Sequence, residues 1–318
     1  MKVADGPRAS PATASICSMH QRSSLFLLPA AALVVNAMIW GVSWWPFREL
    51  QGLGLHPLWA TALVYALVFT CLLTRFASTL PNFGRHPGLW ALAIASGFTN
   101  VGFNWAVTVG DVVRVVLLFY LMPAWAVLVA WLLLGERPTA GSLARLALAM
   151  AGVLVVLKTP ESPWPVPSSL PDWLALAGGL SFAITNAYLR KLGTEGEVPS
   201  GARMLAMFGG GAVLASSAAL VGMSQGIVTA PALAPSGVWL ILGLSAAFLI
   251  CNACLQFGAS RLPGSTTALV MLTEILFASG SAALLGAAEF TPRIVWGGSL
   301  IVLAALLAAL APSQNSAH

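Results

Sequence analysis

WALAIASGFTNVGFNWAVTV, residues 90–109, runs for twenty positions without a charge, and its only amides are Asn100 and Asn104. A second stretch, WLILGLSAAFLICNACLQFG, residues 239–258, carries Asn252 and Gln256, each 152 positions later. Side chains four apart share one face of a helix, so each stretch reads as an apolar rod with a narrow amide stripe. About twenty such residues cross the hydrocarbon core of a bilayer. An amide has donors and acceptors that lipid cannot satisfy, so the stripes must face protein, water or a bound solute. A duplicated stripe points to a site built twice.

The composition places the whole chain in the membrane. Of 318 residues, 58% are hydrophobic and 8% charged, against roughly 25% charged in soluble domains. Runs of spanning length separated by turn signals number ten: 25–47, 57–76, 88–109, 112–134, 139–158, 172–190, 202–223, 236–258, 264–286 and 292–311. The short Gly- and Pro-rich connections leave no room for a soluble domain. Residues 1–24 form a polar N-terminal tail and 312–318 a C-terminal one. The first run is too long for the core of a signal peptide and reads as a retained helix.

Loops rich in Lys and Arg stay cytoplasmic. With the N-terminus inside, Lys2, Arg8, Arg22, Arg75, Arg85, Arg137, Arg145, Arg190, Lys191, Arg203 and Arg261 lie inside, and only Arg48, Arg114, Lys158 and Arg293 outside. Both termini are expected in the cytoplasm of a bacterial-type inner membrane. The cations are scattered over loops, so the basic pI of about 9.4 reads as topology and not as a nucleic-acid footprint.

Between the fifth and sixth runs, residues 159–171 hold Pro160, Pro163, Pro165, Pro167 and Pro171, an extended, semi-rigid connector. It divides the chain into five-helix halves, 25–158 and 172–311. Trp40, Ser43 and Arg48 of the first span match Phe182, Thr185 and Arg190 of the sixth at a displacement of 142. Because five is odd, the second copy enters the membrane from the opposite side. The expected fold is an all-α membrane protein of ten transmembrane helices, two inverted five-helix repeats around a central cavity, a plan of secondary transporters with midplane sites.

Leu121, Met122 and Pro123, followed by Leu132, Leu133, Leu134, Gly135, Glu136 and Arg137, resemble the end of the EamA repeat of the drug/metabolite transporter superfamily. Trp40, Gly41, Val42 and Ser43 resemble that family's opening motif. The second half matches less well: Ile275 follows Glu274 where the family often has Pro, and Leu285, Gly286, Ala287, Ala288, Glu289 is a degraded return motif. Tyr120, Leu121 and Pro123 further resemble the family's aromatic amino acid exporters. The resemblance implies alternating access and export of amino acids, aromatic ones included, or related small metabolites. Export of drug-like, sugar or nucleoside compounds, a channel, or a lipid-handling protein stay open as alternatives.

The candidate substrate-binding residues are Trp40, Ser43, Trp44, Asn100, Asn104, Tyr120, Asn186, Asn252, Gln256 and Glu274. Trp40 and Trp44 share a face. Packing and interfacial anchoring compete for the aromatic residues, and interhelical bonding competes for the amides. Glu274 is the acidic residue near the middle of a span, a position that marks function by default, as carrier of a coupling proton or as partner of a substrate ammonium. Arg114 is a further carboxylate partner, set against plain snorkelling. Pro46 and Pro123 read as kinks. Gly209, Gly210 and Gly211 form a small-residue face that would pack within the chain or between two chains.

Cys251 and Cys254 have CxxC spacing, but no second pair or nearby His completes a metal site, so no metal and no cofactor is expected. His20, His56, His86 and His318 fall in loops or tails. No Walker loop is present, which excludes ATP-driven transport by this chain alone. No cluster of His, Asp and Glu equips it as an enzyme. The expected partners are a small-molecule substrate and the lipid bilayer.

Overall fold

The computed structural model describes residues 11–109, 115, 118–157, 167–194, 196–285 and 292–310. Among these there is no strand. The helices that matter here are α1 (Pro11–Gly52), α2 (Pro57–Phe76), α3 (Gly88–Val109), α4 (Met122–Leu134), α5 (Ala140–Leu157), α6 (Leu170–Thr194), α7 (Ser200–Ser224), α8 (Pro235–Ala259), α9 (Gly264–Met271), α10 (Glu274–Leu284) and α11 (Pro292–Ala309).

Four of them are long and apolar enough to cross a membrane: Leu27–Gly52 within α1, Pro57–Thr79 from α2 onward, α7 and α8. Shorter apolar helices cover Met122–Leu134, Ala140–Val155, Thr266–Ala278 and Val295–Leu307. Large apolar side chains stand on the outside, Val213 at 64% exposure and Trp239 at 76%. A soluble surface would not tolerate such a belt, and lipid covers it.

Two departures from the expected spans reshape the interior. The expected continuous helix over 264–286 is broken: α9 ends at Met271, Leu272 and Thr273 form a turn, and α10 starts at Glu274. Pro123 does not kink a helix over 112–134. It stands in the first turn of α4, after a turn at Tyr120 and Leu121, where the missing N–H costs nothing. The two turns are 152 positions apart, the displacement of the amide stripes. Pro46, by contrast, lies inside α1, which runs on to Gly52. Arg114 and most of the proline connector lie outside the described residues.

The most extensive packing joins helices before residue 158 to helices after 167. α3 lies against α6 and α7, α2 against α7, α1 against α8 and α10, α4 against α6 and α9, and α5 against α11. Exchange α1, α2 and α3 with α6, α7 and α8, α4 with α9 and α10, and α5 with α11. The set then returns to itself: α3 on α6 becomes α8 on α1, and α4 on α6 becomes α1 on α9 and α10, both of which are in contact. The glycine face of α7 packs inside this chain. A methyl group at Gly210 would run into the Ala93 carbonyl of α3, while Gly209 and Gly211 meet Phe69 and Tyr65 of α2.

Candidate functional site

The amide stripes of α3 and α8 are each tied to the neighbouring helix by two rungs. In the first half, the Tyr65 hydroxyl of α2 donates to Asn100 Oδ1 at 2.9 Å, and Asn104 Nδ2 donates to Thr61 Oγ1. In the second half, Asn252 Nδ2 donates to Met207 Sδ of α7 at 3.2 Å, and Arg203 Nε donates to Gln256 Oε1 at 3.1 Å. Thr61 and Arg203, like Tyr65 and Met207, are 142 positions apart. The same ladder is thus built twice from different side chains.

The upper rungs open onto a cavity of about 70 Å³. Asn36 and Trp40 of α1, Tyr65 of α2, Ser96, Thr99, Asn100 and Phe103 of α3, and Phe182 and Thr185 of α6 line it. So do Met207 and Phe208 of α7 and Phe248, Cys251, Asn252 and Leu255 of α8. Phe119, Met122, Met271 and Glu274, at the two helix breaks, complete it. Apart from Asn36, Thr185 and Phe208, these residues fall into pairs displaced by 142 or 152: Trp40 with Phe182, Tyr65 with Met207, Ser96 with Phe248, Thr99 with Cys251. Asn100 pairs likewise with Asn252, Phe103 with Leu255, Phe119 with Met271, and Met122 with Glu274. The cavity wall is thus drawn largely from matching positions of the two halves.

Glu274 is the first residue of α10, and the next amides, of Ile275 and Leu276, bond back to the Leu272 and Thr273 carbonyls of the break. α1 comes in close beside it, since a methyl group at Gly41 would lie 2.7 Å from the Glu274 carbonyl oxygen. The buried Tyr120 side chain lies beside the Glu274 carboxyl. Trp40 stacks on Phe248 with ring centroids 4.7 Å apart, which fixes one wall.

Of the residues singled out from sequence, the structure brings Trp40, Asn100, Asn252 and Glu274 together around the cavity, with Tyr120 against Glu274. Asn104 and Gln256 form the lower rungs instead, and Gln256 Nε2 also donates to Asn252 Oδ1 at 2.8 Å. Ser43 is buried and donates to the Trp40 carbonyl at 2.7 Å. Trp44 Nε1 reaches Ser281 Oγ at 2.9 Å, tying α1 to α10. Asn186 is 2% exposed, and neither amide atom has a partner. Trp125 Nε1 and Thr267 Oγ1 are also buried and unpartnered, in the seam where α4, α6 and α9 meet. Below that seam Arg190 Nη2 pairs with Glu136 Oε1 at 2.9 Å.

Asn36 is the residue sequence reading missed. It is fully buried, lines the cavity, and donates from Nδ2 to the Cys251 carbonyl at 2.8 Å and to Cys251 Sγ at 2.7 Å. The signal was available: Asn36 lies four residues before Trp40, on the same face. Tyr65 lies on α2, a helix in which no amide drew attention. Among the described residues no group of three His, Cys, Asp or Glu is placed to hold a metal ion.

An apolar-surfaced bundle with an internal cavity lined by amides, aromatics and the Glu274 carboxyl is an arrangement that a membrane transport protein could use. Residues 27–158, the first half of the chain, match the EamA-like transporter family. No curated relative matches it. A solved crystal structure, titled only as that of a protein, is similar with a TM-score of 0.67 at 18% identity, over 88% of this chain and 96% of that one. At that identity the likeness speaks for the fold alone.

Proposed function

We propose that the protein is a secondary-active transporter that works by alternating access. It exports small amino-bearing metabolites, amino acids and aromatic ones among them, from the cytoplasm. The observation that carries this reading is the cavity, whose walls are contributed in matched pairs by both halves of the chain. A site shared by two halves can be exposed to either side by rocking one half against the other. The repeats are residues 25–158 and 172–311, inverted, with ten spans and both termini cytoplasmic by the distribution of Lys and Arg. On the cytoplasmic side the seam of α4, α6 and α9 is the gate. Asn186, Trp125 and Thr267 carry polar atoms that lack partners while it is closed and gain water when it opens, and the Glu136–Arg190 pair holds it shut. Glu274 is the coupling proton's carrier, its carboxyl being the acidic group of the cavity.

The test is counterflow in proteoliposomes with a panel of amino acids and amines. Saturable exchange that follows an imposed proton gradient is expected. In Glu274→Gln, the protein should still fold while proton-driven uptake falls at least tenfold, about 1.4 kcal/mol or more of lost coupling. A linear, non-saturable leak, or unchanged proton dependence in Glu274→Gln, would defeat the reading.

A further inference from the structure

Most of the polar hydrogens lining the cavity are already committed to the protein. Asn36 Nδ2 donates both to Cys251, Asn100 Nδ2 donates to the Ser96 carbonyl at 2.8 Å, and Asn252 Nδ2 to Met207. The hydroxyls behave alike. Tyr65 donates to Asn100, Thr99 to the Ala95 carbonyl and Thr185 to the Ser181 carbonyl. Each hydroxyl carries one hydrogen, so these three retain only lone pairs. One hydrogen remains on each of the Asn100 and Asn252 amides, and the Trp40 indole N–H has no acceptor among the described residues.

Acceptors, in contrast, are plentiful. Asn36 Oδ1 is buried and receives nothing, and Glu274 brings a carboxyl to the wall. No Lys, Arg or His is among the described lining residues. The remaining wall is aromatic, led by Trp40 stacked on Phe248, and aromatic faces attract cations.

We infer that the solute held in this cavity is an organic ammonium with an apolar or aromatic body, its –NH₃⁺ received by Glu274 and Asn36 Oδ1, and that a free carboxylate on the solute is disfavoured. This rests on the transporter reading of the same cavity and narrows it: within the amino-bearing class, amines and amino acid amides are preferred to zwitterionic amino acids. An ammonium supplies three donors to a donor-poor site. A carboxylate would find few donors and would face Glu274. The two residues named as receivers are also points where the halves differ, since the counterpart of Glu274 is Met122 and that of Asn36 is Gly178.

One body with four head groups tests this on the unaltered, detergent-solubilised protein by titration calorimetry: phenethylamine, phenylalaninamide, phenylalanine and 3-phenylpropionate. The expected order places the amine and the amide first, phenylalanine behind them, and phenylpropionate weakest by at least about tenfold, the size of one charge-assisted hydrogen bond. Asn36→Leu should weaken phenethylamine about tenfold, and Asn36→Asp, which keeps an acceptor, should hold or tighten it. Phenylpropionate or phenylalanine binding as tightly as phenethylamine would overturn the inference, and so would failure of all four to bind. Saturable counterflow of a carboxylate at an equal rate would also overturn it while leaving the transporter reading intact. The expected binding order without any exchange would support the inference and count against transport.

Discussion

The two ladders occupy the same frame with different chemistry. Asn100 and Asn252 are identical, yet the first takes its hydrogen bond from a phenol and the second donates to a thioether. One turn away, Asn104 meets a threonine hydroxyl, whereas Gln256 meets a guanidinium that is itself only 8% exposed. The extra methylene of Gln256 lets it also reach Asn252, so the second ladder is a continuous chain from Arg203 to Met207 and the first is two separate rungs. Where counterparts agree, the duplicated frame is being held. Where they differ, at Tyr65 against Met207 and Met122 against Glu274 around the cavity and at Thr61 against Arg203 on the lower rungs, the two halves of the frame are chemically unlike.

The lower rungs should break most unequally. Arg203 donates to Gln256 and, through Nη1, to the Leu192 carbonyl at 3.1 Å and the Val198 carbonyl at 3.5 Å. Arg203→Leu leaves these acceptors unpaired in the interior, and we expect a loss of about 3 kcal/mol. Thr61→Val removes one hydroxyl and should cost about 1 kcal/mol. Thermal unfolding in detergent, read side by side, decides it. Equal losses would mean that the guanidinium is not the anchor of the second ladder.

The upper rungs sharpen the same contrast on a smaller scale. Tyr65→Phe deletes the donor to a buried amide oxygen and should cost about 1 kcal/mol. Met207→Leu conserves volume, trades away only a weak acceptor, and should cost less than that. Both residues line the cavity, so solute affinity should also respond more to Tyr65→Phe. A larger effect at Met207 would mean that the Tyr65 hydroxyl is not the stronger of the two upper rungs.

Much of this was legible in the chain, for a physical reason. An amide inside an apolar span must have a partner, so Asn100, Asn104, Asn252 and Gln256 announced that something faced them, and the spacing of 152 announced that it did so twice. The partners themselves were not legible. Thr61 and Tyr65 are unremarkable on a helix of ordinary composition, and Arg203 at a span's end reads as a topology signal until its burial is seen. The helix breaks were hidden for a related reason. Leu272 and Thr273 carry no Gly or Pro to interrupt a continuous apolar pattern, and Pro123 reads equally well as a kink or as the first turn of a helix. Only the packing of α1 against α10 at Gly41 and of α4 against α6 tells the two apart. Asn36 was passed over because it has no counterpart: its equivalent is Gly178, and a search for repetition cannot find what the second copy lacks.

The starts of the two paired helices offer the smallest difference and the one that responds to pH. α2 is capped by a side chain, His56 Nδ1 accepting from the Leu58 amide at 3.2 Å. At α7 the capping residue is Pro199, which has no side-chain bond, and Arg203 ties the preceding turn instead. Burial lowers the pKa of His56 below its ordinary value near 6.5, and a neutral ring is also what the cap requires. A lowered folded value means that the unfolded chain takes the proton first. The contribution of His56 to stability is therefore complete above about pH 6.5 and declines as pH falls from there through the lower folded value. The cap itself contributes about 1 kcal/mol or less. Amide hydrogen exchange, corrected for intrinsic rates, should accelerate in the α1–α2 turn between pH 7.5 and 5.5 and not in the α6–α7 turn. His56→Asn, which caps without titrating, should abolish the difference. Equal acceleration in both turns would show that the pH response belongs to the bundle as a whole and not to this cap.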